Sequence, residues 1–399
     1  MRGFFILFEE ENDTVSDEQQ YLMLPGPTPV PGNVLRALST PMINHRGPQF
    51  KELIEEVTEG VKKVYQTQNH VVTFPSAGTG AMEAAVVNFI SPGDRVLSVS
   101  IGVFGDRFAK IARAFGAEVE QIEFPWGEAA DAEAVGARLA EDRNHEIKVI
   151  LVTHNETSTG VVNDIKAIRQ AAEDHPALFI VDAVSSLGAI EVKTDEWNLD
   201  VVVSGSQKAF MIPPGLSFLA ISPRALQVAE KCTSSRYYWD IKSAVEYLEK
   251  GQTPYTPAIS LYYGLRESLR MMQAEGMEKT FARHALYRDM VRGGIQAMGL
   301  RLLADDKVAS SSLTAVVAPE NIGANRIRSH IQENFDVIMA GGQQKLNDII
   351  FRIGHLGHVR CLDLLAVLAA LEITLVELGM DIELGRGVKR AQEILAKGR

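Results

Sequence analysis

The sequence predicts an α/β fold with a mostly parallel central sheet flanked by helices, followed by a smaller α+β unit. Apolar runs such as residues 147–153, 178–181 and 201–204 largely lack polar alternation, which is typical of strands buried on both faces. Helical segments alternate with such runs through the first part of the chain. After about residue 255 the pattern changes to long amphipathic segments with only a few short strands.

The first part of the chain contains clear signals for individual elements. Apolar residues recur at helical spacing on one face of residues 49–65, whereas 71–74 is a short apolar run. Ser-Pro-Gly at residues 91–93 ends the next helix. In chain order we predict helix 49–65, strand 71–74, helix 81–90, strand 95–99, helix 104–115, and strands 147–153, 178–181, 201–204 and 216–221.

The second part predicts helices at 259–273, 281–298, 362–378 and 383–397, with strands at 314–317 and 349–353. We therefore expect three regions along the chain. Residues 1–20 are a flexible N-terminal extension, 21–255 a large domain with an N-terminal wrapping segment, and 256–399 a linking helix with a small C-terminal domain.

Composition excludes several classes of protein. Of 399 residues, 46% are hydrophobic and 23% charged, so the chain can bury a sizeable core. The formal net charge of −11 argues against nucleic-acid binding. Only two cysteines are present, which excludes a disulfide framework and a four-cysteine zinc site and favours a reducing, cytoplasmic location. The apolar start is too short for a signal peptide, and no run long enough to span a membrane is found.

Three motifs could carry chemistry, and the first is the small-residue sequence SAGTG at 76–80. It lies between a predicted strand and a helix, where backbone amides and the helix dipole favour an anion. Its spacing does not match the GxxxxGK[ST] phosphate loop. An ordinary strand-to-helix turn is the alternative.

The second motif is Asp182, which directly follows a buried strand. Ligands of open α/β sheets bind at the carboxyl ends of the strands, and a carboxylate there stays ionised only beside a cation. A helix N-cap is the alternative role.

The third motif is Lys208, which follows the next apolar strand and lies among small residues. A desolvated lysine loses basicity and becomes a nucleophile toward carbonyl groups, whereas an exposed loop lysine would be inert. An amine, an acid and an anion cradle together match the needs of pyridoxal 5'-phosphate, whose aldehyde, ring nitrogen and phosphate each require one of them.

The sequence resembles the class V aminotransferases, and within them the alanine/serine–glyoxylate (or pyruvate) group. The resemblance covers about residues 22–380 with the motifs in the family's order. The matching segments are PGPTP at 25–29, THNETSTG at 153–160, DAVSSLG at 182–188, SGSQKA at 204–209 with PPG at 213–215, and FRIG at 351–354.

This resemblance implies the type I fold of pyridoxal-phosphate enzymes and assigns the main roles. Lys208 would be the Schiff-base lysine and would then carry the proton between the substrate carbon and the cofactor. Asp182 would pair with the pyridine nitrogen. Arg352 would bind the substrate's α-carboxylate through two parallel hydrogen bonds, the alternative being a surface arginine at a strand end.

The resemblance also implies that five further residues hold the cofactor. Gly78 and Thr79 would bind the phosphate through their amides, with help from Gln207. Phe104 would stack on the ring, and its alternative is a core position. Thr157 would lie near the ring hydroxyl, and its alternative is a turn cap.

The resemblance also implies a homodimer with shared active sites. Thr256, in TPYTP at 253–257, would reach the phosphate of the neighbouring subunit's cofactor.

The substrate is less well defined. In phosphoserine aminotransferases a His-Arg pair similar to that at 45–46 helps to bind a second anion. Arg46 could therefore bind the distal group of aspartate or phosphoserine. A structural arginine near the dimer interface is the alternative. His355 and His358 lie near Cys361 in one short stretch, but no carboxylate accompanies them, so we predict no metal site.

We therefore expect an aminotransferase that moves an amino group from alanine or serine to glyoxylate or pyruvate in a ping-pong reaction. Two alternatives remain open beside the aspartate- or phosphoserine-type enzyme. A cysteine desulfurase or lyase would need Cys361 as a mobile nucleophile, and a non-catalytic subunit of a complex would have kept the fold without turnover.

Overall fold

The computed structural model describes residues 20–398, so the predicted flexible extension lies outside the described residues except for Gln20. The first part of this region contains the large sheet with its helices, a small two-stranded sheet and one strand of the smaller sheet. Its elements are β1 (Tyr21–Met23), α1 (Gly32–Leu38), α2 (Pro48–Tyr65), β2 (His70–Phe74), α3 (Gly78–Phe89), β3 (Arg95–Ser100), α4 (Val103–Ala114), β4 (Glu118–Glu123), α5 (Ala132–Glu141), β5 (Ile147–Thr153), β6 (Asn155–Glu156), β7 (Val161–Val162), α6 (Ile165–Ala171), β8 (Leu178–Asp182), β9 (Val201–Gly205), β10 (Ser217–Ile221), α7 (Pro223–Ala229) and α8 (Ile241–Glu249).

Seven strands form the central sheet in the order β2-β10-β9-β8-β5-β3-β4. The strands from β9 to β4 are parallel to their neighbours, and only β10 runs antiparallel to those on either side. Every residue of β8, β9 and β10 is buried, because helices cover both faces of the sheet. The predicted mostly parallel sheet is thus confirmed.

A second, smaller sheet of five strands has the order β1-β13-β14-β12-β11. Two long helices lead from the large sheet to this second sheet, and three further helices lie between and after its strands. The elements are α9 (Ile259–Glu275), α10 (Met277–Ala297), β11 (Arg301–Leu302), β12 (Leu313–Val317), α11 (Ala324–Phe335), β13 (Val337–Gly341), β14 (Ile350–Gly354), α12 (Cys361–Glu377) and α13 (Arg386–Lys397).

The N-terminal strand β1 belongs to this second sheet. Tyr21 to Met23 pair in parallel with Val337 to Met339, and the Met23 side chain is buried in the C-terminal core. The sequence predicted only a wrapping segment here. A three-residue strand has too little periodicity to be detected, and the unpaired edge of β13 supplies the backbone partners that it needs. The predicted division at residues 255 and 256 stays a prediction.

The parallel strands place their carboxyl ends along one edge of the central sheet. β5 ends at Thr153, β8 at Asp182 and β9 at Gly205. This edge is where ligands of open α/β sheets bind.

Among residues 20–398 no helix combines the length and hydrophobicity needed to cross a bilayer.

Candidate active site

A cavity of about 160 Å³ lies at this edge of the sheet. It brings together seven of the nine residues that sequence reasoning assigned to the site. The lining consists of Ala77, Gly78, Thr79, Met82, Phe104, Arg107, Thr157, Asp182, Val184, Ser185, Gln207 and Lys208.

Lys208 follows β9 and points its amine into this cavity. Its Nζ donates a hydrogen bond to the carbonyl oxygen of Pro25 at 2.7 Å. Burial lowers the pKa of the amine to about 8, and the nearby Arg352 guanidinium acts in the same direction. The amine therefore loses its proton closer to neutral pH than an exposed lysine does.

Asp182 is the last residue of β8 and is only 3% exposed. Its Oδ1 accepts a hydrogen bond from the Val184 amide at 2.9 Å, so the carboxylate caps a turn rather than a helix. Burial raises the pKa of Asp182 to about 7, although the Val184 amide acts in the opposite direction. A cationic group placed in the cavity would stabilise the ionised form of such a buried acid.

The start of α3 and the loop after β9 lie side by side at the cavity. A methyl group on Gly78 would lie 2.7 Å from Val184, so only glycine fits there. A methyl group on Gly205 would lie 3.0 Å from both the Gly78 amide nitrogen and Gln207 Oε1, which shows how closely these groups face each other. Within the described residues, buried Gln207 Oε1 has no hydrogen-bond partner.

Phe104 lies in the first turn of α4, where its ring lines the cavity. The guanidinium carbon of Arg107 lies 4.6 Å from the centre of this ring. Arg107 Nη1 also donates to Thr79 Oγ1 at 3.3 Å. Arg107 therefore adds a positive charge to the site that sequence reasoning missed, because no motif distinguished it from a helical surface arginine.

Arg352 in β14 lies next to the cavity and is only 6% exposed. Its Nη1 donates to the Thr157 carbonyl at 2.8 Å, and its Nε and Nη2 donate to the Gly341 carbonyl at 3.0 and 2.7 Å. Of about five N–H donors on a guanidinium these bonds use three, so two remain. Thr157 is also fixed on its other side, where its Oγ1 donates to Ser185 Oγ at 2.8 Å.

Glu156 is a second residue that sequence reasoning missed. This carboxylate is fully buried and accepts four hydrogen bonds. The amides of Phe104 and Gly105 donate to Oε2 at 3.0 and 3.2 Å, and the Ser158 amide and hydroxyl donate to Oε1 at 3.0 and 2.6 Å. It ties the start of α4 to the segment that carries Thr157, and burial raises its pKa.

We expect Glu156→Ala to lower the free energy of unfolding by about 3 kcal/mol, because several buried donors lose their acceptor at once. Glu173→Ala, at an exposed position, should stay within about 0.5 kcal/mol of the parent. Denaturant titration of both variants measures the difference. Equal stabilities would show that Glu156 does not clamp α4.

The predicted site residue Thr256 and the candidate anion-binding residue Arg46 both lie away from the cavity. Thr256 is exposed and lines a separate surface pocket with Tyr238 and Tyr255. Arg46 contacts the segment that precedes Thr256. Its Nη1 donates to Gln252 Oε1 and to the Thr253 carbonyl at 2.9 and 2.6 Å.

The residues considered for a metal site have other surroundings. His355 is fully buried between Thr314 Oγ1 and the Ser311 carbonyl, each 3.0 Å from one of its ring nitrogens. Within residues 20–398, no group of three or more His, Cys, Asp or Glu side chains is placed to hold a metal. Cys361 begins α12, packs against the C-terminal core and does not line the cavity.

Residues 20–361 match the protein family described as aminotransferase class V. The chain belongs to this family. The class V aminotransferase predicted from the motifs is thus confirmed, and with it the assignment of the chain as a transaminase.

Named relatives match almost the whole chain. A protein named soluble hydrogenase, small subunit, from Synechococcus sp. is 45% identical over 381 residues, covering 95% of this chain and 99% of the relative. An L-aspartate–glyoxylate aminotransferase from Paracoccus denitrificans is 41% identical and covers 94% of this chain and 96% of its own. The crystal structure of ureidoglycine–glyoxylate aminotransferase from Bacillus subtilis superposes with a TM-score of 0.90 at 31% identity, covering 96% of this chain and 100% of its own. The predicted fold is confirmed.

Proposed function

We propose that this class V aminotransferase uses pyridoxal 5'-phosphate to move an amino group from a small amino acid, alanine or serine, to glyoxylate or pyruvate. The observation that carries the proposal is that the Lys208 amine and the Asp182 carboxylate line one cavity. The family implies the cofactor, and the residues present fit it.

The fit can be tested against the chemistry of each part of the cofactor. The closely packed turn at Gly78 suits a phosphate group, because the amides that open a helix, here those of Gly78 and Thr79, have no intrahelical partner. The carboxamide of Gln207, whose Oε1 has no hydrogen-bond partner within the described residues, lies beside this turn and would offer its N–H₂ after rotation about its last bond. Asp182 matches a protonated ring nitrogen, and Lys208 matches an aldehyde.

When bound, pyridoxal phosphate supplies an electron sink for the charge that develops at the substrate carbon. In this proposal Asp182 holds a proton at the ring nitrogen, and the Lys208 amine accepts and returns the substrate proton. Arg352 binds the α-carboxylate with its two remaining donors. Phe104 and Thr157 line the cavity, where Phe104 would exclude water from one face of the ring and Thr157 would contact the ring hydroxyl.

We also propose that the enzyme is a homodimer in which Thr256 reaches the partner's cofactor phosphate. Aromatic side chains surround Thr256 on the surface, and Tyr237 is 78% exposed. An exposed apolar cluster of this kind favours burial against another chain. Sedimentation at the mass of one chain would contradict the dimer.

The amino donor is the part of the proposal that most needs an experiment. We expect the cofactor-loaded protein to lose its absorbance band when mixed with alanine or serine and to regain it with glyoxylate or pyruvate. The relative named for aspartate and glyoxylate makes aspartate the main competing donor. Single-turnover spectra with alanine, serine, aspartate and phosphoserine rank the donors directly.

Arg46→Ala separates the two donor classes. Because both Arg46 Nη atoms donate to the segment at 252–254, we expect turnover of alanine and aspartate to fall together. A loss confined to aspartate or phosphoserine would show that Arg46 binds a second anion and would favour the dicarboxylate-type enzyme.

A non-catalytic subunit is a second candidate, favoured by the relative named as a hydrogenase subunit. Two cysteines in the whole chain are too few to hold a four-thiolate iron–sulfur cluster without another protein. The presence of Lys208, Asp182 and Arg352 at one site supports turnover instead. Absence of any spectral response to all four donors would support the subunit.

A further inference from the structure

The segment 24–28, which leads from β1 toward α1, lies directly on the Lys208 loop. We propose that this segment is a positioning element for the lysine, with the Pro25 carbonyl holding the Lys208 amine whenever that amine is not bonded to the cofactor. The inference rests on the proposed function, since it concerns the same lysine.

The approach of this segment to the amine is close and depends on one glycine. Lys208 Nζ donates to the Pro25 carbonyl at 2.7 Å. A methyl group on Gly26 would lie 2.4 Å from Nζ and 2.5 Å from Cδ of the same side chain. Gly26 also has a φ of +126°, which side-chain-bearing residues rarely adopt. Any other residue at position 26 would therefore displace the amine.

Thr28 fixes the same segment to the lysine's backbone. Its hydroxyl donates to the Lys208 carbonyl at 3.0 Å, and its amide donates to the Gln207 carbonyl at 3.1 Å. Thr28 is 3% exposed, so water does not compete for these bonds. The backbone and the amine of Lys208 are thus held by residues only three positions apart.

The other end of the segment is anchored beside Arg352. Strand β1 pairs with β13, whose Gly341 carbonyl accepts two hydrogen bonds from Arg352. A methyl group on Gly354, two residues after Arg352, would lie 2.2 Å from the Leu24 carbonyl. The segment therefore joins the strand that presents Arg352 to the loop that presents the lysine.

This arrangement gives the lysine amine a hydrogen-bond partner at a stage that every transamination includes. Between the two half-reactions the amine is released, and an ammonium shielded from water needs a hydrogen-bond acceptor. The Pro25 carbonyl supplies one without a negative charge, so the amine stays held at the cavity and can still give up its proton.

We expect Gly26→Ala to slow the uptake of pyridoxal phosphate by the cofactor-free, full-length protein by about 100-fold, the effect of a misplacement of about 1 Å. The rate is read from the growth of the absorbance band after mixing, a measurement independent of turnover. Gly32→Ala is the matched control, because Gly32 is exposed and a methyl group there meets only Arg36 Nη1 at 3.6 Å. Equal rates for the two variants would overturn the proposal.

If Gly26→Ala does not fold, Thr28 variants decide. Thr28→Val removes the hydroxyl and should slow uptake about tenfold, the effect of losing one hydrogen bond of about 1.4 kcal/mol, whereas Thr28→Ser should restore it. Uptake at the parental rate in Thr28→Val, or equal losses in Val and Ser variants, would overturn the proposal. Failure of the proposed function has a different signature, since Lys208→Ala would then form the same band as the parent.

Discussion

Lys208→Ala should abolish the absorbance band of the lysine-bound cofactor and lower kcat/KM by about 10⁴-fold, the upper range for loss of a proton-transferring group. The reason is that Lys208 carries the only amine among the described residues that line the cavity, while the hydrogen bonds that hold Asp182 and Arg352 are untouched. Stopped-flow absorbance and steady-state transamination measure the two effects.

Two controls make this result specific to the amine. Lys110→Ala removes an exposed lysine of α4 and should leave both the spectrum and the rate unchanged. Lys208→Arg keeps a cation in the cavity but has no amine that can react with an aldehyde at neutral pH, so it should resemble Lys208→Ala. A band of parental intensity in Lys208→Ala would mean that another amine binds the cofactor.

Asp182→Asn should lower kcat by about 10²- to 10³-fold, the usual effect of removing one preorganised electrostatic group from an active site. Asparagine preserves the size of the side chain and can still accept the Val184 amide, but it cannot hold a proton at the ring nitrogen. Asp174→Asn, at an exposed position, is the control. An unchanged kcat would exclude Asp182 from the reaction.

The same variant has a characteristic pH dependence. Burial raises the pKa of Asp182 to about 7 and lowers that of Lys208 to about 8. As the pH rises over this range the carboxylate ionises and the amine loses its proton. Both changes favour the cofactor, so the parental uptake rate should rise steeply with pH, because two groups titrate. In Asp182→Asn only the amine titrates, so the rise should be shallower.

The central part of the site could be predicted from the sequence because it lies at strand ends. Asp182 directly follows one buried strand and Lys208 lies shortly after the next, and parallel neighbours bring such residues to the same edge. The cavity also contains Gly78, Thr79 and Gln207, which the sequence placed there. The chemical roles of these residues stay predictions until the variants are measured.

The residues that the sequence did not predict act through contacts between distant segments. Glu156 lies inside a motif that matched the family, yet two of its four hydrogen-bond donors are amides on α4, 51 and 52 positions earlier in the chain. No spacing pattern along the sequence predicts a carboxylate that accepts hydrogen bonds from the first turn of a distant helix. Pro25 is comparable, since its carbonyl contacts a side chain 183 positions away.

Some elements were missed for reasons of local pattern. Strand β4 has the sequence EVEQIE and lies at the edge of the sheet. Its residues are only partly buried, so its hydrophobic signal is weaker than that of the buried strands. Helix α11 buries only three residues along one stripe, and its other positions are mainly polar. Such helices form because tertiary packing selects them rather than because the sequence strongly favours them.

The pairing of β1 with β13 has a consequence for the order in which this enzyme matures. Tyr21 is among the earliest described residues to leave the ribosome, and its partner Val337 is among the last fifth of the chain. Closing so long a loop is entropically costly and slow compared with forming local contacts. The Pro25 carbonyl, which accepts the hydrogen bond from the Lys208 amine, is therefore anchored to the C-terminal sheet late in biosynthesis, after both the central sheet and β13 have been translated.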